Sequence, residues 1–216
     1  MGGSSRKETF QRQLLDWSEG NLRDFPWRDK ATTYEVLVAE ILLSATLATK
    51  VEPVYEELLR RYPDFESLAN AEADELAALI EPLGLHNRRA NALVKLGERL
   101  SGKPIPEDVD DIRELPWVDY YVANAVRCFG AGERRPIVDT NVTRVYNRVF
   151  DRDFTDSEDQ EAWNYAERML PDEEFRRFNL ALLDLGAAIC TSTNPNCEEC
   201  PMANICSYYQ TERVEN

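Results

Sequence analysis

The sequence predicts an all-α protein of two helical lobes, with a helix–hairpin–helix near the middle and a four-cysteine loop near the C-terminus. Three observations carry this. Apolar residues recur at helical spacing along nearly the whole chain, and no stretch alternates as a strand would. Leu115 to Phe129, LPWVDYYVANAVRCF, reads as a helix end, a short turn and a buried helix. Cys190, Cys197, Cys200 and Cys206 crowd into 17 residues.

In chain order, Thr9 to Asn21 is a first helix, with Phe10, Leu14 and Trp17 on one face. Phe25 to Arg28 is an extended break around Pro26. Thr33 to Thr49 is a strongly apolar second helix, and Glu52 to Tyr62 a third. Shorter helices follow at Phe65–Ala69, Asp74–Ile80 and Asn87–Leu100, and Pro104 to Pro106 is a loop. Ile112 to Leu115 leads into the hairpin. Leu115-Pro116 ends that run, because proline disfavours helix in the residue before it. Trp117-Val118-Asp119 is the turn, Tyr120 to Phe129 the next helix, and Gly130 to Gly132 its stop. Such a turn can aim N–H groups at a phosphate. Asp139 then precedes a helix from Asn141 to Val149, where its plain role is an N-cap. A capping carboxylate can also face a cleft, so the two roles are compatible. Gln160–Met169 and Phe175–Ile189 are the last long helices, and the tail from Cys190 reads as a loop. A chain that leaves one lobe near Arg28 and returns near Ile137 fits this order.

The formal net charge is −15, from 40 acids and 25 bases, of which only five are lysine. Acids spread over nearly every surface, with lysine scarce, suggest a halophilic host. Net charge speaks to solubility and not to fold. An acidic chain ordinarily avoids nucleic acid, but at about 1 M salt the Debye length is only about 3 Å, so repulsion fades. No run is long and apolar enough to span a bilayer, and no signal peptide is visible. Met1 to Ser5 reads as a small, polar, mobile tail. The expectation is a soluble cytoplasmic protein.

Four cysteines spaced C-x6-C-x2-C-x5-C in an intracellular chain read as metal ligands before disulfides. Spacing alone leaves zinc and a [4Fe–4S] cluster both open. Cys128 lies in an apolar helix and reads as a buried structural thiol.

The cysteine spacing after FNLALLDLGAAIC resembles the iron–sulfur loop of the endonuclease III superfamily of DNA glycosylases. LPWVDYYVANAV resembles that family's helix–hairpin–helix, and IVDTNVTRV the segment carrying its catalytic aspartate. Pro26-Trp27, YEVLVAEILLSATLATKV and LGLHNRRANAL match it in the same order, so the resemblance covers roughly residues 25–209. It implies a six-helix barrel domain at 28–136, with its hairpin at about 112–129. It also implies a cluster domain of 1–27 plus 137–216, an active site in the cleft between them, and a [4Fe–4S] cluster rather than zinc. Within the family the pattern sits nearest the archaeal thymine/uracil mismatch and adenine mismatch glycosylases.

Cleaving an N-glycosidic bond creates positive character at the sugar C1′, which a nearby carboxylate stabilises. Asp139 matches the family's residue for this task, at a helix start that attracts negative charge. Glu40 lies in VLVAEILL, a helix apolar on all sides, where a buried carboxylate is expensive unless paired or used. A narrow exposed stripe is its plain alternative. By resemblance Glu40 is the glutamate that mismatch glycosylases place against the flipped base. Tyr121 stands where bifunctional members carry the lysine that forms a Schiff base, so hydrolysis without lyase action is implied. Tyrosine there and Ala48 both match the thymine/uracil branch, although a core aromatic would also explain Tyr121. The chain ends soon after the cluster loop, whereas adenine glycosylases continue into a domain that reads 8-oxoguanine. His86 reads as a loop or capping residue. Arg88, Arg89, Arg127, Arg134, Arg135 and Arg144 are basic candidates for phosphate, individually unassigned.

Three departures weaken duplex binding. The family hairpin is usually L-P-G-V-G, and here Trp117 adds bulk and Asp119 a like charge beside the contact formed by Trp117, Val118, Asp119 and Tyr120. The loop Thr191–Asn196, usually basic, has no base. Ser44-Ala45-Thr46, where the family often carries a glutamine or arginine to fill the gap left by a flipped base, is small. Two readings follow. One is a monomeric, monofunctional glycosylase acting on double-stranded DNA, with thymine or uracil opposite guanine first and adenine opposite guanine or 8-oxoguanine second. The other is a non-catalytic iron–sulfur relative kept for protein or nucleic-acid interaction. Retention of Glu40 and Asp139 favours the enzyme.

Overall fold

Residues 5–29 and 31–215 are described by the computed structural model, the side chains of 212–215 excepted. Among them the chain forms twelve α-helices and no strand, and no helix is long and apolar enough to cross a membrane. Most of the Met1–Ser5 tail lies outside the described residues. The chain divides into two compact units, one of Asp24–Glu133 and one of Met1–Arg23 with Arg134–Asn216.

The Asp24–Glu133 unit is built on α2, Thr33–Leu43. Thr32 and Glu35 form a capping box at its start, each side chain accepting from the other's backbone N–H. From Val36 to Leu42 every side chain of α2 is buried. The sequence predicts this helix running on to Thr49. It stops at Leu43, because Ser44 turns to ψ 114° and Ala45 takes a left-handed φ of 54°. The next helix, α3, therefore begins earlier than predicted and spans Ala48–Arg61. After α4 (Phe65–Ala69) and α5 (Ala73–Ile80), α6 (His86–Leu100) packs against both.

The hairpin is α7, Val109–Arg113, a turn, and α8, Tyr120–Ala125. The predicted helix to Phe129 continues beyond Ala125 as a π-helical turn, Val126–Gly130. That turn packs on α2, and Gly130 permits it: a Cβ there would lie 2.7 Å from Thr33 Cα. Trp117 holds φ 66° at the hairpin, a left-handed conformation that a bulky residue rarely adopts.

The other unit packs α1 (Arg6–Ser18), α9 (Thr140–Phe150), α10 (Gln160–Met169) and α11 (Phe175–Ala188) around aromatic rings. Phe10 meets Phe150 edge-on at 5.1 Å, and Tyr146 meets Tyr165 at 5.2 Å. The first helix starts earlier than predicted because Ser5 and Glu8 make a capping box. Asp184 is 1 % exposed and paired with Arg23 at 2.6 Å. The tail is not all loop, as the sequence suggests: Ser207–Glu215 forms α12, which packs on α9. Arg6 anchors its start, donating to the Ile205 carbonyl at 2.6 Å and to Ser207 Oγ at 2.8 Å.

Candidate functional site

Asp139 is the N-cap of α9, with φ −113° and ψ −176°. Its Oδ1 accepts from Val142 N at 2.7 Å and its Oδ2 from Asn141 Nδ2 at 2.8 Å. The carboxylate is half-buried and held at both oxygens, so its orientation is set before anything binds. Asn141 is itself held. Its Oδ1 accepts from Arg144 Nη2 at 2.7 Å, while Arg144 also donates to the carbonyls of Gly186 (2.8 Å) and Cys190 (2.7 Å). A hydrogen-bonded chain thus runs from Asp139 through Asn141 and Arg144 to the backbone of the first loop cysteine. Gly186 allows α11 to approach, since a Cβ there would sit 2.6 Å from Asn141 Cβ.

Glu40 and Tyr121 belong to the Asp24–Glu133 unit, whereas Asp139 belongs to the other. Glu40 is 9 % exposed at the centre of the unit's most apolar helix, so the exposed-stripe alternative does not hold. Tyr121 is half-buried on α8, which packs against α2. In the hairpin turn, Trp117 is half-buried with the Arg88 guanidinium 5.3 Å over its ring. Val118 is half-buried, and Tyr120 carries Arg113 over its ring at 5.2 Å. The Asp119 carboxylate accepts from Val122 N at 2.8 Å and so caps its own helix. Ala48 is the half-buried first residue of α3. His86 opens α6.

The four loop cysteines line one small enclosed cavity with Arg148, Leu185 and Tyr209. Burial, then the neighbouring thiols, pushes the Cys200 thiol up to about 12, and burial also raises Cys206. Gathering four thiolates there needs a cationic centre to offset the cost. Among the described residues no group of three or more His, Cys, Asp or Glu is set to hold a single metal ion. Four thiols around one cavity fit a [4Fe–4S] cluster. Thr191–Asn196 carries no base of its own, but Arg148 from α9 donates to the carbonyls of Thr191 (2.6 Å) and Ser192 (3.1 Å).

Sequence reading missed Asn141, Gly186 and Arg148, and several of the arginines it left unassigned are taken up by partners within the protein. Arg89 is wholly buried, Arg127 is 8 % exposed and paired with Glu133, and Arg134 bonds Glu167 and the Leu170 carbonyl. Arg144 serves the Asp139 chain. Leu47, inside the predicted helix to Thr49, is 69 % exposed.

The description "HhH-GPD superfamily base excision DNA repair protein" matches residues 38–168, and "Iron-sulfur binding domain of endonuclease III" matches residues 190–206. A thymine-DNA glycosylase of Aeropyrum pernix is 38 % identical over 96 % of this chain and 97 % of its own. A thymine/uracil-DNA glycosylase of Pyrobaculum aerophilum is 38 % identical over 95 % and 94 %. The solved structure of a thermostable thymine-DNA glycosylase superposes with a TM-score of 0.90 at 34 % identity, covering 95 % of this chain and 97 % of that one.

Proposed function

We propose, from the premise that this chain belongs to the HhH-GPD superfamily of base excision DNA repair proteins and carries a [4Fe–4S] cluster, that it is a monofunctional mismatch glycosylase. Its substrate is thymine or uracil opposite guanine in double-stranded DNA, flipped from the stack before cleavage. It works as a monomer in the cytoplasm. The barrel domain, read as 28–136, corresponds in this proposal to the Asp24–Glu133 unit, and the cluster domain to the other. Cys190, Cys197, Cys200 and Cys206 hold the cluster.

The observation that carries the reading is Glu40, a carboxylate kept in the buried centre of α2 beside the helix of Tyr121. A purely structural helix would place an apolar residue there at lower cost. In the reaction Asp139 stabilises the positive charge growing at C1′ and orients the attacking water, with Asn141 and Val142 N–H holding it in place. Glu40 contacts the departing base, which leaves more readily when hydrogen-bonded or protonated. Tyr121 has no amine to attack the sugar, so the product is an intact strand with an abasic site. Trp117, Val118, Asp119, Tyr120 and Ala48 contact the DNA.

The test is a single-turnover assay at several KCl concentrations on duplexes carrying G:T, G:U, G:A or 8-oxoguanine:A. Thymine or uracil release is the expected result. Release of adenine alone would move the chain to the adenine branch, and release from none would favour a non-catalytic interaction protein.

A further inference from the structure

Arg6 opens α1, yet it serves the cysteine loop at the far end of the chain. Its Nη2 meets three acceptors: the Ile205 carbonyl at 2.6 Å, Ser207 Oγ at 2.8 Å and the Val149 carbonyl. Its guanidinium also lies 5.2 Å over the Phe150 ring. Ile205 and Ser207 flank Cys206, and Val149 and Cys206 both line the cysteine cavity. Two turns further along α1, Gln13 Nε2 donates to Asn204 Oδ1 at 3.1 Å. The first helix therefore holds the chain on either side of the last loop cysteine, and ties it to the end of α9.

The other three cysteines are held by nearer chain. Cys190 N donates to the Leu185 carbonyl of α11 at 2.8 Å, and its Sγ lies 3.5 Å from Arg148 Nη1. Cys197 N donates to the Pro195 carbonyl (3.0 Å) and Cys200 N to the Cys197 carbonyl (3.3 Å), so both sit in one local turn. Cys206 follows a partly exposed stretch, and Arg6 crosses to it from the opposite end of the sequence. Such exposed stretches open locally at far lower cost than the whole fold. The helix itself gains nothing from Arg6, because a cation in the first turn opposes the helix dipole. What its charge stabilises is the bonds to the loop, since an ionised donor makes the stronger hydrogen bond.

We propose that Arg6 is a positioning residue for the cluster: it clasps the first helix across the Cys206 end of the loop and so sets how long the cluster stays bound. The proposal rests on the reading of the four loop cysteines as cluster ligands, and is independent of which base the protein removes. Lysine replaces the clasp only in part, because a single ammonium keeps the charge but not the planar guanidinium that meets the carbonyls and covers the Phe150 ring together. The clasp acts on local opening around Cys206, so it governs cluster lifetime more than the stability of the fold.

The test holds the cluster-loaded protein in dilute urea with excess EDTA and follows the decay of the visible cluster absorbance, with far-ultraviolet circular dichroism read beside it. Arg6→Met is expected to lose its cluster about tenfold faster than the parent while its helical signal persists, with Arg6→Lys between the two. Gln13→Ala, which removes the second tie, is expected to lose it about threefold faster. Phe10→Leu is the control, because it loosens the same helix from the Phe150 ring without touching residues 204–207. It should lower the urea midpoint more than Arg6→Met does, yet release the cluster more slowly. An Arg6→Met protein that keeps its cluster as long as the parent overturns the proposal. So does one whose faster loss only matches its fall in urea midpoint, on the same line as Phe10→Leu. Cys206→Ala reads the ligand assignment separately and is expected to hold its cluster far more briefly than the parent. A Cys206→Ala protein as long-lived as the parent overturns that assignment and the clasp with it, whereas a short-lived one beside an unaffected Arg6→Met overturns the clasp alone.

Discussion

Asp139 commits both carboxylate oxygens to donors from its own helix start, and one donor, Asn141, is fixed by Arg144. Asn141→Ala should leave the cap to Val142 N intact but free the second oxygen, slowing base release about tenfold with little change in DNA affinity. A matched loss of affinity would mean that Asn141 touches DNA instead. Tyr121→Lys should add a borohydride-trappable adduct and strand nicking, because an amine would then face the sugar. A variant that traps nothing counts against Tyr121 lying at C1′. From the sequence alone, Tyr121 stands out through the family resemblance, whereas the burial of Glu40 and the capping by Asp139 were legible from local pattern, a charge in an apolar helix and an acid at a helix start. Asn141 and Arg89 were not. Their roles depend on burial and on partners distant in sequence, and a basic residue in a list looks like surface.

At the scale of elements, the hairpin keeps its left-handed turn although Trp117 replaces the usual glycine. Ring stacking with Arg88 offsets part of the strain, by about 0.5–1 kcal/mol. Trp117→Ala loses that stacking and keeps the strain, whereas Trp117→Gly relieves it. Alanine should therefore be less stable than glycine by about 1 kcal/mol in urea unfolding, the reverse of the order in an ordinary helix. The opposite ranking would show that the turn is not left-handed. Gly186→Ala should cost about 1–3 kcal/mol and slow base release, because α11 must back away from Asn141. Normal stability and rate would remove Gly186 from the positioning chain. Helix existence was readable from periodicity almost throughout. The break at Ser44-Ala45 was hidden, because neither residue is a strong helix breaker and the guanidinium that holds the Ser44 carbonyl comes from α6. Weak amphipathicity after a loop rich in cysteine, asparagine and proline likewise concealed α12.

For the whole molecule, 40 acids against 25 bases oppose a polyanionic partner. Most DNA-binding proteins lose affinity as salt rises, through counterion release. Here the reverse is expected: duplex affinity should rise toward molar KCl as screening shortens to about 3 Å, leaving short-range hydrogen bonds to decide binding. A steady fall with salt in a fluorescence titration would contradict this. The fold class and the cysteine loop were legible at this scale because helical period and thiol spacing are local. The chain linking that loop to Asp139 through Arg144 is tertiary and was not. The most direct measurement is single-turnover release of free thymine and uracil from G:T and G:U duplexes, with Asp139→Asn and Glu40→Gln run beside the parent. Release by the parent that falls about 100-fold or more in Asp139→Asn, and falls in Glu40→Gln with duplex binding retained, is the predicted result. Undiminished release by either variant, or none by the parent, would contradict it.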